Sequence, residues 1–248
     1  MTLPTAQQLY PVVDATWPAA RHEVVGPWCI RHGAGGGKRA SAATALARVT
    51  DTDIPLAEAA MQALSQDRLF MIREGDAALD GMLAARGYAI IDPVTLFACP
   101  VDVLARGEVP PVSGFAIWPP LAIMDDIWMD AGIGTARQAL MRRCSSPKTG
   151  ILGRSQDRAA GVGFVALHNE IAMIHALEVV PELRRLGTAN NIMRLAARWA
   201  QRNGAHSLAL AVTHTNDAAN ALYRRLGMSE IGQYHYRIAP AAQAQGSR

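Results

Sequence analysis

Between Val179 and Ala196 the chain reads "VVPELRRLGTANNIMRLA". An apolar strand stops at Pro181, Arg184, Arg185 and Gly187 follow, and a helix begins at once. Ile192, Leu195, Ala196 and Trp199 keep helical spacing in that helix, and Gly204 ends it. "SLALAVTH" comes next, a strand with Leu208, Leu210 and Val212 on one face. Strand, crossover helix and strand at these lengths make a right-handed parallel pair, with a ligand crevice at the carboxyl ends of the strands. The fold class expected is therefore α/β, with a mixed α+β sheet.

The joint has a chemistry of its own. A helix start leaves unpaired backbone N–H groups and about half a positive charge, which suits an anion and a diphosphate best. Gly187 permits a sharp turn and close approach, Ala189 is small, and Arg184 and Arg185 add two charges. Read alone, the same residues also fit a plain turn with a solvated basic end.

The rest of the chain alternates helices and strands. "PTAQQLYPVVDATW" reads as a helix interrupted near Pro11. "VVGPWCIRH" and "RASAATALA" read as two strands around the cluster Gly33, Gly35, Gly36 and Gly37. "DIPLAEAAMQAL" is a helix, "LFMIR" a buried strand, "DAALDGMLAARG" a helix closed by Gly87, and "YAIIDPVTLFACPV" a long strand. After the Pro/Gly-rich "ARGEVPPVSG" come two helices, "PLAIMDDIWMDAGI" and "TARQALMRRC". Three strands follow, "TGILGRS", "AAGVGFVALHN" and "EIAMIHALEVV". The helix "DAANALYRRLG" and the strand "MSEIGQYHYRI" close the pattern.

Both halves run in one order, and 227 − 87 and 216 − 76 each give 140 for Gly227 over Gly87 and Asn216 over Asp76. The division expected is 1–108, a linker at 109–115, 116–240, and a disordered tail at 241–248. The first half has Leu83 where the second has Tyr223, and nothing in it resembles "RRLGTA".

Composition narrows the function. Half of the 248 residues are hydrophobic and 18% are charged, which supports a sizeable core. A net charge of +3 without a dense Lys/Arg run suits a small anionic ligand and argues against nucleic acid. Three cysteines, Cys29, Cys99 and Cys144, have no metal or disulfide spacing, so no metal and a reducing, cytoplasmic setting are expected. No apolar run is long enough to span a membrane.

The second half resembles the GCN5-related N-acetyltransferase (GNAT) superfamily over about Pro119 to Ile238. That family's acyl-CoA loop, Gln/Arg-x-x-Gly-x-Gly/Ala, stands here as Arg184, Arg185, Leu186, Gly187, Thr188 and Ala189. The later Asn, small-residue helix and Tyr before "LGF" stand as "NDAANALYRRLGM", with Asn216, Tyr223 and Met228. "ALEVVPELRR" resembles the family's fourth strand. The first half looks like a degenerate copy without the CoA motif.

The resemblance implies acetyl-CoA as cosubstrate and direct acyl transfer to a primary amine, of a small molecule or peptide, in a ternary complex. Backbone from Leu177 through Glu178 to Val179 would pair with the pantetheine arm, Asn216 would orient that arm or the loop, and Tyr223 would protonate the departing thiolate. The family's usual bases cannot be carried over: Met173 stands at one of their positions and Ala211 at the other. His175, Glu178 and His168 are the remaining candidates. Strand alternation puts His175 on one face with Met173 and Leu177, and Glu178 on the other. Asp125 and Asp126 could line the acceptor side, although a solvated helix face fits them better, and Trp118 and Trp128 flank that region and could line it rather than pack only in the core. "HGAGGGKRAS" lacks the first Gly and the Ser/Thr of a phosphate loop and reads as a hairpin turn. The alternative to an enzyme is a non-catalytic acyl-CoA-binding or regulatory module, and a homodimer is compatible with either.

Overall fold

The computed structural model describes residues 2–240, so the tail expected at 241–248 lies outside the described residues. Helix α1 (Ala6–Thr16) starts from a capping box between Thr5 and Gln8. It is not interrupted at Pro11. Pro11 and Gln7, whose carbonyl loses its donor, are both exposed, so water can satisfy that carbonyl.

Two other expectations are corrected in this region. Gly26, at φ 57°, turns the chain, so "VVGPWCIRH" is a hairpin of β1 (Arg21–Val25) and β2 (Trp28–His32). "RASAATALA" divides into the short helix α2 (Lys38–Ser41) and the strand β3 (Thr44–Ala45). The glycine run Gly33–Gly37 therefore joins a strand to a helix and is not a hairpin turn. Its glycines are needed for close packing: a Cβ on Gly36 would lie 2.5 Å from Leu140 Cδ1.

Helix α3 (Ile54–Ala63), β4 (Leu69–Ile72), α4 (Ala77–Ala85) and β5 (Ala89–Pro100) follow, and then α5 (Val101–Ala105), a short helix not read from the sequence. The second half has β6 (Gly114–Ile117), α6 (Ala122–Asp130), α7 (Thr135–Arg143), β7 (Lys148–Ser155), β8 (Arg158–His168) and β9 (Ile171–Val179). It continues with α8 (Thr188–Arg202), β10 (Ser207–Thr213), α9 (Asp217–Arg225) and β11 (Ser229–Ile238). Helices α4 and α9 keep the 140-residue offset at both ends (217 − 77 and 225 − 85).

The eight-stranded sheet has the order β4-β11-β5-β10-β9-β8-β7-β6. Its centre is an exchange. β5, from the first half, lies between β10 and β11 of the second, and β11 lies between β5 and β4 of the first. Each half's closing strand thus completes the other half's sheet. The apolar stretch "VTLFAC" of β5 is buried because both its edges are paired and both its faces covered.

One face carries α5, α8 and α9, over a core that includes Phe97, Ile174, Ile192, Leu210 and Tyr223. The other carries α1, α6 and α7, packed on Met173, Ala209, Phe164 and Val162. Glycines in β7 and β8 let α8 settle close to the sheet. A Cβ on Gly153 would stand 2.9 Å from Ile192 and Thr188 side chains, and one on Gly161 only 2.6 Å from the Glu178 carbonyl. Small residues thereby fix the height of the α8 start beside the end of β9.

Candidate active site

Strands β9 and β10 are parallel and stay together only briefly. Their register runs from Ser207 opposite Ile171 to Leu210 opposite Ile174 and stops there. Beyond it β10 continues to Thr213, held on its other edge by β5, while β9 continues to Val179, held by β8. The facing edges of His175–Val179 and Ala211–Thr213 are left apart, which makes a cleft through the sheet.

A bulge shapes one wall of the cleft. Phe164 pairs with His175 and Val162 with Glu178, so Ala176 and Leu177 together face Gly163. Ala176 sits at φ 50°. Trp128, fully buried, donates from Nε1 to the Ala176 carbonyl at 2.8 Å. The extra residue breaks the alternation expected from sequence. His175 and Glu178 share the face of Phe164 and Val162, and Leu177 turns to the α8 face. His168 is at the hairpin end of β9, away from the cleft.

The start of α8 lies beside the carboxyl end of β9. Gly187 is its N-cap at φ 83°, without a side-chain cap, and the first bond back is Asn191 N–H to Gly187 O at 3.0 Å. The N–H groups of Thr188, Ala189 and Asn190 are therefore free of helical partners. Nothing lies within 4 Å of a Cβ built on Gly187, and Thr188 Oγ1 is buried without a partner. Arg184, Arg185 and Leu186 are exposed around this point, and Arg184 Nε donates to Val179 O at 3.2 Å. Free main-chain donors, an orphaned hydroxyl and two guanidinium groups fit a diphosphate-bearing coenzyme.

Tyr223, from α9, packs its ring against Phe97 at 5.8 Å on the α8 side. It is 7% exposed, and no protein group among the described residues hydrogen-bonds its hydroxyl. Burial, and then the charge of Glu178, push it up to about 12. Glu178 is half-buried; desolvation raises its carboxyl and Arg184 opposes the rise. Asn216 is already occupied, since its side chain caps α9 by accepting from Ala219 N–H at 3.1 Å. Sequence reasoning missed Asn220. Buried at 5% exposure, its amide donates to the carbonyls of Thr213 (3.0 Å) and Asn216 (2.9 Å), tying the end of β10 to α9. The available signal was its place three residues before Tyr223, on the same inner side of α9.

A cavity of about 300 Å³ opens on the α1 face. His175 and Ala176 of β9 and Thr213 of β10 form its floor, so it meets the cleft. Its other walls come largely from the first half: Gly36 to Arg39, Asp92 and Val94, with Tyr234 and Tyr236 of β11 and Arg137 of α7. Asp125 is not there; it pairs with Arg142 at 2.7 Å and joins α6 to α7. Trp118 packs on Phe164 and under Lys148.

His175 is locked by its neighbours. Arg39 Nη1, an obligate donor, meets Nδ1 at 3.2 Å, and Thr16 Oγ1 meets Nε2 at 2.8 Å. The proton therefore sits on Nε2 and is given to Thr16, whose hydroxyl donates to Val12 O at 2.6 Å. Trp17 covers the ring at 5.1 Å. Neither ring nitrogen is free to take a proton, so this geometry does not serve the expected base. Burial, and then the Arg39 charge, hold the imidazole well below its usual range. The folded state keeps it neutral while the unfolded chain protonates it below about pH 6.5. Stability is thus expected to fall as pH drops below 6.5, by up to about 1.4 kcal/mol per pH unit for this group. Urea titrations of wild type and His175→Gln between pH 5 and 8 check this; the variant should lose that part of the slope.

Among the described residues, no helix is long and apolar enough to cross a membrane, and no cluster of three or more His, Cys, Asp or Glu could hold a metal ion.

A sheet split between two parallel strands, with an uncapped helix start at the mouth, is the arrangement that the resemblance to the GNAT superfamily implies. The profile of the Acetyltransferase (GNAT) family matches residues 122–228, and that half of the chain is a GNAT acetyltransferase domain. Over 235 residues the chain is 27% identical to "Uncharacterized N-acetyltransferase YobR" of Bacillus subtilis (strain 168), covering 90% of this chain and 94% of that one. A GCN5-related N-acetyltransferase from Kribbella flavida superposes with a TM-score of 0.72 over 100% of both chains, at 18% identity. A tandem GNAT protein from the clavulanic acid biosynthesis pathway superposes at 0.53, over 82% of this chain and 76% of that one, at 17% identity. By class the matched domain is that of an N-acetyltransferase.

Proposed function

We propose that the protein transfers an acetyl group from acetyl-CoA to a primary amine by direct attack in a ternary complex, with the first half a degenerate GNAT-like partner. The observation that carries this is the cleft between β9 and β10, with free helix-start donors on one side and a separate cavity on the other. Acetyl-CoA, when bound, supplies the acyl group as an activated thioester. The N–H groups of Thr188, Ala189 and Asn190, with Arg184 and Arg185, hold its diphosphate. Unpaired backbone of Leu177 to Val179 orients the arm as a neighbouring strand would, and polarises the carbonyl.

Glu178 takes the proton of the attacking amine. It shares the acceptor face with the cavity floor, and desolvation raises its carboxyl toward the working pH. Tyr223 gives a hydrogen bond to the departing sulfur. Full transfer from a phenol at about 12 to a thiolate near 8.5 is uphill by about 5 kcal/mol. Protonation of Glu178 removes one of the two causes of the Tyr223 shift, so proton uptake from the amine makes Tyr223 a better acid as the sulfur leaves. His175 is a positioning residue that fixes Arg39 at the cavity. The three unbridged cysteines suit a cytoplasmic setting.

Thiol release from acetyl-CoA with a panel of primary amines tests the reading. Tyr223→Phe is expected to lower kcat about 10²- to 10³-fold with little change in the KM for acetyl-CoA. Coenzyme binding without turnover on any amine, unchanged by Tyr223→Phe, would instead identify a non-catalytic module.

A further inference from the structure

The acceptor cavity carries a charge that a plain amine would avoid. Lys38, Arg39 and Arg137 line it with a single acid, Asp92, and Lys38 Nζ already holds Asp92 Oδ2 at 2.6 Å. Among the described residues neither Arg39 nor Arg137 has a carboxylate partner. The Arg39 guanidinium lies against the phenols of Tyr234 and Tyr236 in close polar contact, yet the contact is poorly aligned and leaves Arg39 Nε and Tyr234 Oη buried without a hydrogen bond of good geometry. Tyr234 is 3% exposed. Leaving such donors unpaired is unfavourable unless a ligand supplies acceptors. Two guanidinium groups and a phenol offer donors around one small space, and a planar acceptor-only group with two oxygens matches them.

Resting on the acetyltransferase reading above, we infer that the acceptor is a small amino carboxylate, its carboxylate held by Arg39, Arg137 and the Tyr234 hydroxyl while its amine faces the cleft at Ala176 and Thr213. The volume of about 300 Å³ suits a single amino acid and not a folded protein tail. Arg39 is fixed for this task through His175 and Thr16. The same positive field disfavours an ammonium, so the amine held by its own carboxylate loses its proton more readily than it would in water. The first half thus has a part in the reaction. It supplies Arg39 from α2, directly after its glycine run, and that run is what lets this segment lie against α7 beside Arg137.

The test is thiol release from acetyl-CoA with amino acids, each paired with its methyl ester, its decarboxylated amine and its aminophosphonate. Amino carboxylates are expected to show kcat/KM at least about 100-fold above the ester and the decarboxylated amine. Arg137→Gln, at an exposed site that should not disturb folding, is expected to raise the acceptor KM at least about tenfold and leave acetyl-CoA affinity by calorimetry unchanged. Equal turnover of carboxylate and ester, or an Arg137→Gln enzyme with an unaltered acceptor KM, overturns the inference while the acetyltransferase reading survives. Preference for the aminophosphonate overturns the carboxylate in favour of a phosphate-like anion. Failure with every amine overturns the acetyltransferase reading, and this inference falls with it.

Discussion

A chain beginning at residue 109 is expected to be recovered unfolded or aggregated, although it contains the whole of the segment that matches the acetyltransferase family. The reason is the strand exchange. β5 pairs with β10 over seven residues, from Val94 opposite Thr213 to Pro100 opposite Ser207. It also pairs along the length of β11. Its removal leaves two long strand edges open in the middle of a sheet, each a template for aggregation. Leu9, Val12 and Val13 of α1 leave as well, uncovering Met173 and Ala209. Circular dichroism and size-exclusion chromatography of the shortened chain read the outcome. Co-expression with residues 1–108 should restore a soluble, cooperatively unfolding pair. A monomeric 109–248 fragment that melts cooperatively by itself would refute the structural role assigned to β5.

That exchange shows where sequence reasoning stops. The joint from β9 into α8 and the helix carrying Tyr223 were legible because their signals are local: apolar spacing, a glycine at a turn, a polar cap. The pairing of β5 with β10 and β11 joins residues more than a hundred positions apart, and alternation along one strand says nothing about its neighbours. The bulge at Ala176 was illegible for another reason. A residue at φ 50° is normally announced by glycine or asparagine, and here an alanine is held there by the Trp128 indole. One unannounced residue moved Glu178 to the acceptor face and Leu177 away from it. The glycine run before α2 is visible in the sequence but has the composition of a turn, since the partner that explains it, Leu140, lies in the other half. Arg39 and Arg137 gave no signal of their own, because an isolated arginine reads as surface.

Gly187→Glu is expected to abolish coenzyme binding and spare the fold. A Cβ at this exposed position meets nothing within 4 Å, so the cost to stability is the left-handed backbone alone, about 1–2 kcal/mol. The new carboxylate would stand at the helix start, where the diphosphate is to lie. Two like charges about 5 Å apart repel by about 3 kcal/mol at an effective dielectric near 20, which is more than a hundredfold in affinity. Gly187→Asn separates charge from backbone effects, since asparagine tolerates this conformation and adds no charge. Calorimetry with CoA should show weakened but measurable binding for Gly187→Asn, which adds bulk without charge, and none for Gly187→Glu, with both unfolding cooperatively. A folded Gly187→Glu protein of unchanged affinity would place the diphosphate elsewhere.

The most direct measurement is a crystal structure of the protein grown with millimolar CoA. The diphosphate should lie within hydrogen-bonding distance of the Thr188, Ala189 and Asn190 N–H groups, with the pantetheine arm between β9 and β10 and the sulfur at the Tyr223 hydroxyl. Density for the coenzyme in any other part of the molecule, or none at that concentration, would contradict the account.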